Sequence, residues 1–155
     1  MQTATPPKLI WFIDGLVHIH ISGDDTAGRL ALVEMEAPQG HMPPLHVHRA
    51  EDESFVVLDG ELTLYVGDAM HTLRRGDVAN APMHVPHTFR VESETARWVV
   101  ACSPAGFERF VAEVGEPAPE AVLPAAPVLP EPARFAEICE AFEIELLGPP
   151  GALPS

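Results

Sequence analysis

Runs of alternating apolar and polar residues, cut at spacings of roughly eight to twelve residues by Gly and Asp turns, restrict this chain to an all-β sandwich or barrel. Residues 9–13 and 16–21 read as two strands joined at Asp14-Gly15, a dipeptide favoured in tight hairpins. Residues 23–28 are a turn, and 29–36 alternate again as a strand. Pro38, Gly40, Pro43 and Pro44 make a stiff connection into a strand that holds His46 and His48. Further strands are expected over 54–58, 61–66, 71–73, 78–81, 87–91 and 96–102, with Asp59-Gly60, Gly67-Asp68 and Gly76-Asp77 among the turns.

The period then changes. Phe107, Phe110, Val111 and Val114 recur at the spacing of one helical face, and Gly115 and Pro117 end that helix. Residues 116–132 are rich in proline and read as an extended strap laid over the surface. A second helix is expected over 133–142, with Phe135, Ile138 and Phe142 as its apolar face. Ile144 and Leu146 extend it or form a last short strand. At 155 residues the chain is long enough to bury one real core. Its expected parts are N-terminal strands over 1–29, a barrel over 30–102, and C-terminal helices with the strap over 103–155, all packed as a single domain.

Four residues stand out as chemistry. His46 and His48 are two residues apart, so in a strand both imidazoles face one side. A short turn through residues 49–52 returns Glu53 to that side, and His87 follows 34 residues later at the start of another strand. Three neutral imidazoles and a carboxylate form a borderline ligand set for a divalent first-row metal. His18 and His20 make a second H-x-H, but no carboxylate follows at a helpful spacing. Their plainer account is a half-buried strand with its polar face in water.

Nine basic residues against 23 acidic ones give a formal charge of −14. That balance argues against a nucleic-acid partner and against an anionic membrane surface, both of which need clustered Lys and Arg. No helix-turn-helix precedes the strands and no basic patch is present. The apolar stretch 9–13 is shorter than a signal-peptide core, and no run of about 18 apolar residues exists, so a cytoplasmic protein is expected. Cys102 and Cys139 are too few for a disulfide framework and lack the spacing of a zinc ribbon.

Gly40-x5-His46-x-His48-x4-Glu53-x6-Gly60 resembles the first motif of the cupin superfamily at every specified position. Gly76-x5-Pro82-x-His84-x2-His87-x3-Val91 resembles its second motif, with His84 where the family has Gly and Val91 where it usually has Asn. Residues 30–91 carry the resemblance; the segments 103–110 and 147–150 also look like small single-domain cupins of the quercetin dioxygenase-like kind. The resemblance implies a cupin double-stranded β-helix, or jelly-roll barrel, with short C-terminal helices and a metal inside one end. It implies His46, His48, Glu53 and His87 as ligands of one divalent transition ion, with Mn, Fe, Co, Ni, Cu and Zn all compatible. It further implies a homodimer, for which residues 9–13 are a candidate shared edge.

Three functional readings follow from the resemblance. In the first, a metal-dependent dioxygenase binds a flavonol-like substrate through its hydroxyl and ketone oxygens. Glu53 is then both ligand and general base, suited to that role if burial raises its pKa towards neutrality. In the second, a non-redox cyclase or isomerase of polyketide type polarises a carbonyl on the same site; in the third, the site binds a ligand without turnover. Phe55, Val57 and Phe89 belong to the inward-facing set, and Val91 faces the same way as His87. With His84, these residues are the expected substrate pocket, apolar and suited to a planar aromatic ligand. His84 itself is expected as a strained turn residue or as an additional polar group beside the site.

Overall fold

A computed structural model describes residues 6–155; the first five residues of the expected N-terminal segment 1–29 lie outside the described residues. In chain order the elements are β1 (Lys8–Phe12), β2 (Gly15–Ile21), α1 (Gly23–Thr26), β3 (Ala31–Pro38), β4 (Leu45–His48), β5 (Asp52–Asp59) and β6 (Glu61–Val66). Then follow β7 (Ala69–Arg74), β8 (Val78–Ala81), β9 (His87–Val91), β10 (Thr95–Ser103), α2 (Phe107–Val114), β11 (Glu116–Pro117), α3 (Pro132–Ala141) and β12 (Ile144–Gly148).

The strands form two antiparallel sheets, β11-β1-β2-β3-β10-β5-β8 and β12-β4-β9-β6-β7. From β3 to β6, and again from β7 to β10, the chain crosses from one sheet to the other at each step. This crossing inserts β9 between β4 and β6, and β10 between β3 and β5, which is the jelly-roll arrangement. Alternation decides what lies between the sheets. In β3, Ala31, Val33, Met35 and Ala37 are buried; in β10, Ala96, Trp98, Val100 and Cys102 are. In β5 and β9 the same inward phase runs Glu53, Phe55, Val57 and His87, Phe89, Val91. Each strand therefore presents one site residue at one end of the barrel and apolar residues below it.

The turn chemistry follows local demands. Gly60 joins β5 to β6 at φ 80, and a Cβ there would lie 2.4 Å from the Thr95 carbonyl oxygen, so no larger residue fits. The first hairpin differs in detail from the expected one: Phe12 pairs with Gly15, so Ile13-Asp14 makes the turn and Ile13 takes φ 57. The helix anticipated from Phe107 to Val114 forms over those residues, and Glu108 ties it down. Its buried carboxylate accepts hydrogen bonds from Gly23 N at 2.8 Å and Gly106 N at 2.7 Å.

The strap does more than cover surface. Ile10 and Trp11 pair with Pro117 and Glu116, Ala118 N donates to Leu9 O at 3.0 Å, and Ile13 bridges to Val128. The edge of residues 9–13, expected to be open for a second copy, is thus occupied by this chain's own strap. Among the alternatives left for residues 144–146, a strand forms. β12 pairs with β4, placing Ile144 beside His48 and Leu146 beside His46. None of the helices among the described residues is long and apolar enough to cross a membrane.

Candidate metal centre

The two sheets bring His46, His48, Glu53 and His87 together at one end of the barrel. His46 on β4 sits directly opposite His87 on β9 within one sheet. Glu53 reaches across from β5 in the other. One ligand atom from each of the four residues lies within 4.8 Å of the rest. Glu53 Oε2 is 3.0 Å from His87 Nε2 and 3.3 Å from His48 Nε2.

The hydrogen bonds on the far side of each ring decide what faces the centre. His46 Nδ1 meets the Pro44 carbonyl at 2.7 Å, His48 Nδ1 meets Glu51 Oε1 at 2.7 Å, and His87 Nδ1 meets the Val85 carbonyl at 3.1 Å. All three partners only accept, so each Nδ1 carries the proton and donates it. Each neutral ring then turns an Nε2 lone pair towards the Glu53 carboxylate. Lone pairs in such proximity repel unless a cation lies among them, a metal ion when one is bound or a proton in the metal-free chain, where His87 Nε2 hydrogen-bonds Glu53 Oε2 at 3.0 Å. His48 Nε2 is also buried without a hydrogen-bond partner, which costs free energy that a metal–nitrogen bond recovers. The residues therefore fit a divalent transition ion, and the Nδ1 acceptors are the outer contacts that orient metal-binding histidines.

Burial, then the charges of His87 and His48, push the His46 imidazole down to about 3. For Glu53, burial works upward, but the His48 charge and the His87 hydrogen bond and charge outweigh it and hold the carboxyl down at about 2. In the metal-free chain the imidazoles around Glu53 outweigh the burial that was expected to bring it towards neutrality. Cys102, paired with Glu53 across β5 and β10, has its thiol pushed well up by burial and by the nearby carboxylates. It is not among the side chains that converge on the centre.

Above the four residues lies a cavity with about 60 Å³ of free space. Its walls include His41, His46, His48 and Glu53, with Phe55, Phe89, Phe107 and Phe110. Phe55 and Phe89 stand where the sequence reading put them. Val57, Val91 and His84 do not, and the pocket assignment is corrected for these three. Val57 is four residues beyond Glu53, a distance of about 13 Å along a strand, and both valines lie in the core, each 1% exposed. Phe55, Phe89 and Trp98 pack ring against ring, with centroids 5.8 Å and 5.2 Å apart. His84 is exposed at φ 68 with its side chain outside the cavity, so it is the strained turn residue and not an extra group beside the site.

Two partners were not foreseen. Glu51, read as part of a turn, is 4% exposed and holds His48. Its signal was the i, i+3 spacing after a strand-borne histidine. His41 lines the cavity and its Nδ1 donates to Asp14 Oδ1, a contact that lowers the Asp14 carboxyl chiefly through this hydrogen bond. Asp14 and His41 are 27 residues apart and meet only because the β1–β2 turn folds back over the connection into β4.

A two-sheet jelly roll with a three-imidazole, one-carboxylate centre at one end defines the class of protein. Residues 33–102 match the family model described as Cupin domain. The chain is 26% identical over 136 residues to the quercetin 2,3-dioxygenase of Bacillus subtilis (strain 168), covering 88% of this chain and 40% of that protein. It thus spans about two-fifths of that relative's length. An RmlC-like cupin from Shewanella frigidimarina superposes with a TM-score of 0.57 at 21% identity, over 66% of this chain and 88% of the other. KdgF from Halomonas sp. superposes with a TM-score of 0.56 at 19% identity, over 62% of this chain and 84% of the other. At such identities the structural likeness is one of fold. Residues 33–102 of this chain are thus a cupin domain.

Proposed function

We propose that the chain is a metal-dependent dioxygenase acting on a small planar aromatic or enolic substrate with an ionisable hydroxyl. The observation that carries this reading is the convergence of three Nδ1-anchored imidazoles and Glu53 beneath a phenylalanine-lined cavity. The similarity to a quercetin 2,3-dioxygenase supports it. His46, His48, Glu53 and His87 would hold the ion. When bound, it supplies Lewis acidity and, if redox-active, electron exchange with dioxygen. Phe55, Phe89 and Phe107 grip an aromatic ring and keep water out. Glu53, with its low proton affinity, acts as a ligand, and we assign proton uptake from the substrate hydroxyl to His41. Asp14 accepts from His41 Nδ1, which leaves Nε2 to take that proton.

The free space of about 60 Å³ is far below that of an ordinary ligand pocket. A flavonol enters only if α2 and α3, which carry Phe107, Phe110 and Phe135 on the wall, move outward. The Asp14–His41 pair also favours a second reading, a non-redox cyclase or isomerase, because it provides proton transfer without any need for dioxygen. Elemental analysis, followed by oxygen-electrode assays under each candidate metal, separates the readings. The substrate series runs from small enols and catechols to flavonols. Substrate-dependent oxygen uptake with stoichiometric metal supports the dioxygenase; turnover under anaerobic conditions supports the alternative; failure to take up metal overturns both. A cytoplasmic setting, which the two buried free cysteines suit, and a homodimer formed through a surface other than the strap-covered edge of residues 9–13 complete the proposal.

A further inference from the structure

On the opposite side of the seven-stranded sheet, away from the cavity, a second set of metal-ligating side chains is assembled. β2 and β3 pair with His18 opposite Glu34. The register shifts between Ile19 and Ile21, and such a bulge re-aims the residue inside it, here His20. His20 Nε2 comes to lie 2.9 Å from Glu34 Oε2, and the His18 and His20 rings stack with centroids 5.9 Å apart. One donor atom from each of His18, His20 and Glu34 lies within 4.8 Å of the others. The carboxylate absent from the local sequence is supplied across the strand pair.

We propose that His18, His20 and Glu34 form a second, solvent-facing site for a borderline divalent ion such as Zn²⁺, Ni²⁺ or Cu²⁺, distinct from the cavity centre. Two imidazoles and a carboxylate suit these ions in preference to Mg²⁺ or Ca²⁺, which favour oxygen alone. Metal–nitrogen bonds of 2.0–2.1 Å place donors about 3.3 Å apart in a tetrahedron. The present spread closes to that by modest side-chain rotation, which His20, 34% exposed at its side chain, is free to make. Arg97 Nε holds Glu34 Oε1 at 3.1 Å, which fixes the carboxylate and leaves Oε2 for the ion. The chain's charge of −14 draws divalent cations to its surface. Among the described residues no acceptor anchors the Nδ1 atoms of His18 and His20 as the inner three rings are anchored, and such outer contacts carry roughly 10–100-fold in affinity. The outer site therefore binds at least tenfold more weakly than the cavity centre.

The test is equilibrium dialysis of tag-free, chelator-stripped protein against Zn²⁺, with bound metal counted by elemental analysis and folding checked by circular dichroism. The wild-type chain is expected to take two equivalents of unequal affinity. The double variant His18→Asn/His20→Asn loses the weaker equivalent, His48→Ala loses the tighter one and keeps the weaker, and Glu34→Gln weakens the outer site at least tenfold. Unchanged uptake in His18→Asn/His20→Asn overturns the proposal, as does His48→Ala protein that binds nothing. If only the cavity centre fails, wild-type protein takes one equivalent that is lost on changing His18 and His20. The two failures are thereby distinct.

Discussion

Glu51 Oε1 accepts a hydrogen bond from His48 Nδ1 at 2.7 Å, with both side chains almost fully enclosed. The pair sets the tautomer of His48 and so aims its unpartnered Nε2 at the centre. Glu51→Ala is expected to weaken divalent-metal affinity by about 10–100-fold with the barrel intact. Glu51→Gln, whose amide oxygen still accepts, loses less. Competition with a chromophoric chelator measures both, and equal affinities in all three proteins would show that the contact does not orient the ligand.

His41 tests where the proton goes. In the metal-loaded protein, His41→Gln is expected to lower turnover by about 10²–10⁴-fold, the range for loss of a general base, with metal content unchanged. A change in metal content alone would assign the Asp14–His41 contact to holding the first hairpin over the site.

Acid destabilises the metal-free chain through His46. The unfolded chain protonates this imidazole below its ordinary 6.5, whereas the folded chain resists until about 3. The unfolded state therefore binds more protons, and stability falls as pH drops through that window. Between pH 6.5 and pH 5 the loss from this group is about 2 kcal/mol. Carboxylates such as Glu53, with an ordinary value of 4.5, enter only lower down. Urea unfolding at the two pH values should show a smaller drop for His46→Gln; an equal drop would remove His46 as the cause.

Val91→Asn restores the residue usual in the family motif but, at this depth, buries an amide without partners. Unfolding free energy is expected to fall by about 1–3 kcal/mol, while metal and ligand affinities stay as they are. Altered ligand affinity would return Val91 to the cavity wall.

His84→Gly relieves a left-handed backbone at an exposed turn. The chain should gain about 1 kcal/mol with metal uptake unchanged, because only the backbone N of His84 is used, donating to His48 O at 2.9 Å. A melting temperature at or below that of the wild type would refute the strain.

Phase along a strand is local, and what depends on phase was legible in the sequence alone. Alternation marked the strands from β1 to β10, the helical period marked Phe107–Val114, and the two-residue spacing of His46 and His48, with the inward phase of Glu53 and His87, marked the four central residues. Depth and partnership across the chain are not local. Val57 and Val91 share the inward phase yet lie below the cavity, because phase does not say how far along the barrel a ligand reaches. Asp14 with His41, Glu34 with His18 and His20, and the strap with β1 are decided by strand register and by how the connections fold back. Those relations arise only once burial of the shared core has set the two sheets face to face.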